Sequence, residues 1–150
     1  MQLLSLKRYH QRYRITQNEE GSYELQDPFE LPGFLALCRV DPDMRLDQLM
    51  DIYCVDLGDS LRLHYILRSY KLNAELKLTA LLPESNHMLS LSHLYQNANW
   101  LERECYDLFG VFFEGHPYLK RLILYPEFAG HPLRKAYPIN KSQPLVPIYA

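Results

Sequence analysis

Residues 61–82, LRLHYILRSYKLNAELKLTALL, decide the fold. Leu61, Leu63, Tyr65 and Leu67 alternate with Arg62, His64 and Arg68, and Ile66 is the one apolar residue on the polar side. Leu76, Leu78, Ala80 and Leu82 alternate in the same way with Glu75, Lys77 and Thr79. A period of two places the two sets on opposite faces of a strand. The turn near 71–73 joins the runs into an antiparallel hairpin with one buried and one wet face, and Pro83 ends it. His64, on the polar face, reads as a solvated strand residue rather than a ligand.

On the N-terminal side, residues 52–56 read as another strand. Asp41-Pro42-Asp43 opens a predicted helix near 44–51, with Met44, Leu46, Leu49 and Met50 inward. Residues 34–40 are mostly apolar and read as a buried strand, following the punctuation of Asp27-Pro28 and Leu31-Pro32-Gly33. Residues 8–16 and 22–26 read as strands joined by a turn at 18–21, and residues 1–6 as a short helical start. The first 18 residues hold no acid and include Lys7, Arg8, Arg12 and Arg14, which fits either a basic first strand or an organellar transit peptide. The partial alternation over 9–15 favours the strand.

On the C-terminal side lies NWLERECYDLFG, residues 99–110. A helix is predicted over 100–109, with Asn99 as N-cap and Glu102 reaching back in a capping-box arrangement. Gly110 stands at the left-handed position after the helix. Leu101, Cys105 and Leu108 form an apolar stripe, while Arg103, Glu104 and Asp107 share another face with Trp100. Asp107 in the last turn faces the negative end of the helix dipole, at a cost of roughly 0.3–1 kcal/mol unless it is offset. An Arg103–Asp107 pair at i, i+4 is the expected offset. Ser90 or Ser92 is expected to cap a short turn before this helix.

Beyond residue 116 stand six of the ten prolines, which remove donors and push the preceding residues towards extended geometry. Only 119–125 reads as regular structure, a strand or a short helical turn. The last stretch carries Leu133, Tyr137, Ile139, Leu145, Val146, Ile148 and Tyr149, too apolar for a free linker, and is expected to lie extended along a surface. The expectation is therefore an α/β (α+β) fold: a mixed, largely antiparallel sheet with helices packed on it, followed by an extended C-terminal arm. Residues 1–125 would form the body, including the helix near 99–110, and 126–150 the arm.

Composition narrows the chemistry. A chain of 150 residues suits one domain and can bury about 68–70% of its unfolded surface. A net charge of −2 gives no global bias towards nucleic acid or anionic lipid. Cys38, Cys54 and Cys105 are an odd number without CxxC spacing, which argues against a disulfide framework, an iron–sulfur cluster or a Cys-rich zinc site and points to a reducing compartment. No apolar run approaches the roughly 20 residues of a membrane helix. There is no G-x-G-x-x-G, P-loop or G-x-S-x-G, hence no nucleotide cradle or nucleophile elbow. Glu104 and Asp107, with His116 and His131 downstream, offer metal-ligand chemistry, but both histidines lie in Gly-His-Pro triplets, which favour turns. A free-standing metallohydrolase is thus the weaker reading. The cations Lys120, Arg121, Arg134, Lys135 and Lys141 lack an interleaved aromatic platform and read as partner-facing rather than as a nucleic-acid site.

Three segments in order carry a resemblance: Glu102-Arg103-Glu104-Cys-Tyr-Asp107-Leu-Phe-Gly110; Glu114-Gly115-His116-Pro117-Tyr-Leu-Lys120-Arg121-Leu-Ile; and Gly130-His-Pro132-Leu-Arg134-Lys135-Ala-Tyr-Pro138. Together they resemble the 30 kDa subunit family of respiratory complex I (NADH:quinone oxidoreductase). The match is specific over 99–138 and looser but in register over about 34–98. The resemblance implies a peripheral-arm scaffold with no catalytic residue and no cofactor or metal of its own; the NADH, FMN, iron–sulfur clusters and quinone would belong to other subunits. It implies packing against the hydrogenase-like large subunit near the quinone site, and against neighbouring subunits of the peripheral arm. It further implies contact with the membrane only through the complex, at the cytoplasmic face of a bacterial inner membrane or the matrix face of a mitochondrion. Glu102, Arg103, Glu104, Asp107, His116, Arg121, Arg134 and Lys135 would anchor the motif or meet the partner. Related membrane-bound hydrogenases and other donor:quinone complexes use similar subunits and form the alternative. One departure stands out: Ala136 follows Leu-Arg-Lys where the family usually has an acid, so an anchoring ion pair expected there is missing.

Overall fold

The computed structural model describes residues 6–18 and 21–144, and the expectations for residues 1–5 and 145–150 lie outside them. The hairpin forms as its alternation demands. Strands β4 (Leu61–Ser69) and β5 (Ala74–Leu81) pair antiparallel, with Leu63 opposite Ala80, Tyr65 opposite Leu78 and Leu67 opposite Leu76. Asn73, at φ +46°, takes the left-handed conformation that closes the turn. Strand β3 (Gln48–Asp56) runs antiparallel along β4. On the other side β2 (Tyr23–Leu25) lies parallel to β5, and β1 (Ile15–Gln17) antiparallel to β2. The sheet order is β1-β2-β5-β4-β3, mixed and mostly antiparallel as expected.

Helices complete the architecture: a short α1 (His10–Tyr13), α2 (Leu31–Val40) and α3 (Ala98–Phe109). Two further strands, β6 (His87–Leu89) and β7 (Phe112–Glu114), pair parallel on either side of α3 in sequence. A single core gathers Phe34, Leu35, Tyr65, Leu67, Leu78 and Phe113, all essentially inaccessible to solvent.

Three expectations are corrected. The predicted strand over 34–40 is the body of α2, whose buried residues Leu31, Phe34, Leu35 and Cys38 follow the helical period. Pro32 sits in its first turn, where a missing N–H costs nothing; the Leu-Pro-Gly stretch starts a helix rather than a turn. The predicted helix over 44–51 does not form. Arg45 is left-handed (φ +43°), which stops helix propagation, and β3 begins at Gln48. Met44, Leu46 and Leu49 are buried as expected, but Met50 is the extra residue of a bulge between Leu49 and Asp51 and points outward. The strand over 8–16 shrinks to β1. Tyr9 and Tyr13, one helical turn apart, pack their rings on Phe34 at 5.8 and 5.1 Å, and left-handed Arg14 (φ +45°) ends that turn.

Strand β3 lies at the sheet margin, and α3 and its flanks cover it. Asn97 Nδ2 donates to Leu49 O (2.7 Å), and the Cys105 thiol donates to Ile52 O (3.7 Å). This docking fixes α3 against the body and aims its charged residues at the segment that follows.

Candidate functional site

From residue 115 to 144 the chain forms no helix or strand. It is held to α3 by side chains, so this segment and the helix form one unit.

Asp107 is its centre. Its side chain is buried, and its Oδ2 accepts the N–H groups of Leu122, Ile123 and Leu124 at 3.0, 2.7 and 2.9 Å. Oδ1 accepts from Arg121 Nη1 at 2.8 Å. Three consecutive amides converging on one oxygen form an anion-binding concavity filled by the chain's own carboxylate. Burial raises the Asp107 pKa, but the amides and the guanidinium outweigh it and hold the carboxyl below its ordinary value. The predicted regular structure over 119–125 is therefore absent, because these amides are satisfied by Asp107 instead of a ladder.

Arg121 makes four bonds. Beyond Asp107 Oδ1 it donates to Asp107 O (3.2 Å), Phe128 O (2.8 Å) and Gly130 O (3.0 Å). His131 Nδ1 also donates to Asp107 O (3.0 Å), and Leu133 N donates to Leu108 O (3.1 Å). Thus the last carbonyls of α3 receive their donors from the following segment, with a cation at the negative end of the helix dipole. The expected Arg103–Asp107 pair does not form. Gly110 (φ +79°) ends the helix as predicted, and a Cβ there would lie 2.7 Å from the His131 ring.

Arg103 turns the other way. Its Nε donates to Lys120 O (3.0 Å) and its Nη2 to Arg121 O (2.9 Å), and its guanidinium lies 5.2 Å from the Trp100 ring and 5.4 Å from that of Tyr118. His116 accepts Tyr118 N–H on Nδ1 (3.0 Å), so its Nε2 donates to Asn99 O (3.0 Å). Arg134 and Lys135 close the far end. Asp56 accepts Lys135 N–H (2.9 Å) and Gly58 N–H (2.8 Å), and Arg134 Nε lies 3.3 Å from it. The acid absent at Ala136 is thus supplied to Arg134 from the end of β3.

Glu102 does not form the predicted capping box. The helix starts at Ala98 with Asn97 as N-cap, and Asn99 lies inside it. Glu102 is buried instead, accepting Leu91 N–H and the Ser90 hydroxyl, both at 2.6 Å. Burial pushes its pKa from 4.5 up to about 7, against the pull of those two bonds. Ser90 caps its turn by accepting Ser92 N–H (3.1 Å). Glu104 is exposed and lines a separate cavity of about 280 Å³ beside β3, with Tyr53, Cys54 and Leu133. Burial pushes the Cys54 thiol up to about 12 and the Cys105 thiol higher, so both are poor nucleophiles.

Glu104, Asp107, His116 and His131 are not brought together, and among the described residues no group of three or more His, Cys, Asp or Glu is placed to hold a metal ion. Asp107 is saturated, and both histidines are bonded to helix carbonyls. Nothing in the sequence marks Asp56 or Ser90 as a partner of these groups. Asp56-Leu-Gly58 carries a turn signal but nothing that points 79 residues ahead.

Residues 26–143 match the family described as respiratory-chain NADH dehydrogenase, 30 kDa subunit. An NADH-quinone oxidoreductase subunit from Ruegeria sp. is 36% identical over 115 residues, which cover 74% of this chain and 57% of that protein. The equivalent protein of Trichlorobacter lovleyi is 40% identical over 110 residues, covering 70% and 68%. The chain spans about half to two thirds of the length of the curated relatives it matches. A solved trypsin-resistant fragment of Nqo5 superposes with a TM-score of 0.60 at 27% identity, covering 76% of this chain and 98% of the fragment.

Proposed function

The chain belongs to the respiratory-chain NADH dehydrogenase 30 kDa subunit family, and from that premise we propose that it is a scaffold subunit in the peripheral arm of a proton-translocating NADH:quinone oxidoreductase. It packs against a hydrogenase-like large subunit near the quinone site, has no redox centre and contributes no catalytic residue. NADH, FMN, iron–sulfur clusters and quinone are handled by other subunits. It reaches the membrane only through the complex; among the described residues no helix is long and apolar enough to cross one.

One observation supports the structural role above all: Asp107 and Arg121, at the centre of the family motif, are satisfied within the chain. The Asp107 carboxylate takes four donors and Arg121 gives four bonds, which leaves neither available for a substrate. Such a centre shapes a surface for neighbours.

The test is co-purification of the tagged chain with the NADH-oxidising particle, followed by Asp107→Asn. An Asn amide would set its N–H₂ against Arg121 or against the three amides. Breaking a buried pair in this way costs about 3–5 kcal/mol. The expected result is fewer assembled particles with unchanged quinone reduction per assembled particle. Loss of turnover in fully assembled particles would overturn the scaffold reading, as would one iron or zinc per chain in the purified protein.

A further inference from the structure

The groove between α3 and residues 118–126 has a volume of about 580 Å³. Arg103, Lys120 and Arg121 line it together with Tyr106 and Tyr118, and no carboxylate does. Arg121 is neutralised from behind by buried Asp107. Arg103 and Lys120 have no anionic partner among the described residues, in a chain whose net charge is −2. Two large aromatic rings stand exposed on either side of Arg103, Tyr118 (54%) lining the groove and Trp100 (60%) beside it. The Arg103 guanidinium lies against both of them, and Lys120 Nζ lies 4.7 Å from the Tyr118 ring. Two cations braced by aromatic rings, without a counter-charge, are complementary to an anion flanked by apolar groups.

The same geometry selects among anions. The amides of 122–124, the clustered backbone donors that would favour a phosphate-rich ligand here, are all turned onto Asp107. Arg103 already donates to carbonyls from Nε and from one N–H of Nη2, which leaves the Nη1–Nη2 edge, a fork that fits one carboxylate. We propose that the Trp100–Arg103–Tyr118–Lys120 groove is a docking site for an acidic segment of a neighbouring protein in the complex, with a carboxylate on Arg103 and Lys120 and an apolar side chain against the exposed rings. This rests on the scaffold reading and names the surface through which it acts.

The experiment places a photo-crosslinking amino acid at position 118 of the full chain in cells, and maps the crosslinked peptide after purification of the particle. Lys120→Glu and Trp100→Ala are compared with Glu84→Lys, an exposed change in the loop that follows β5. The expected crosslink is to a segment containing at least two acidic residues. Lys120→Glu and Trp100→Ala should each lower the particle-bound fraction roughly tenfold or more, and Lys120→Glu should also flatten its salt dependence, while Glu84→Lys leaves binding unchanged. Crosslinks to a neutral or basic segment, to lipid or to nucleic acid would overturn the proposal. So would full particle binding by both groove variants, which would leave the scaffold reading standing. Failure of the unaltered chain to join the particle would remove both.

Discussion

Glu102 shows how one buried atom pair can set a pH response. Its carboxyl faces the Ser90 hydroxyl and the Leu91 amide. Tyr65, whose hydroxyl has no hydrogen-bond partner among the described residues, is pushed well above its ordinary pKa by burial and then by the charge of Glu102. Glu102 titrates near 4.5 when exposed and near 7 when folded, so between those values the native chain keeps a proton that the unfolded chain has lost. Its contribution to stability is therefore whole below about pH 4.5, declines as pH rises through about 7 and is then flat; the full change is about 3 kcal/mol. Glu102→Gln, which mimics the protonated form, should abolish this slope. Urea midpoints measured from pH 4.5 to 7.5 check it, and an unaltered slope in the variant would place the titration elsewhere. Asp107 acts in the opposite sense: its lowered pKa stabilises the fold above the ordinary carboxylate range, and that stabilisation is lost only as pH falls through the lowered value.

At the level of elements, α3 and the segment behind it depend on each other, and Arg121 is the link. Arg121→Lys keeps the charge but replaces a two-nitrogen fork with one ammonium, which cannot reach Asp107, Phe128 and Gly130 together. The expected loss is about 2 kcal/mol, seen as roughly thirtyfold faster hydrogen exchange at the amides of 122–124. Unchanged exchange there would mean that Asp107 holds the turn without Arg121. This dependence also explains what the sequence disclosed. Periodicity revealed the β4–β5 hairpin and α3, because alternation and the Gly110 stop are local signals. It misread 34–40, where an apolar run is ambiguous until Pro32 is recognised as a first-turn residue, and 44–51, where left-handed Arg45 breaks the predicted helix. Asp107 was conspicuous as a carboxylate at the wrong end of a dipole, but its partners lie 14 to 17 residues away, beyond any helical spacing.

Across the whole molecule, a long stretch without regular structure is fastened at both ends, by Asp107 to α3 and by Asp56 to the end of β3. Asp56→Ala removes the acceptor of Lys135 N–H and of Gly58 N–H and leaves Arg134 without its carboxylate. The expected cost is about 2–3 kcal/mol, with proteolytic cutting between 126 and 144 preceding any cut in the sheet. Cleavage first within β3–β5 would show that the far fastening is dispensable. The covering of β3 has one more consequence. Its outward backbone groups are a template for another chain's strand, and among the described residues α3 and Asn97 cap two of them. A molecule that loses this shield before meeting its neighbours is therefore primed to stack margin to margin with its own kind, so the bonds that shape the docking surface also guard the orphan chain against aggregation.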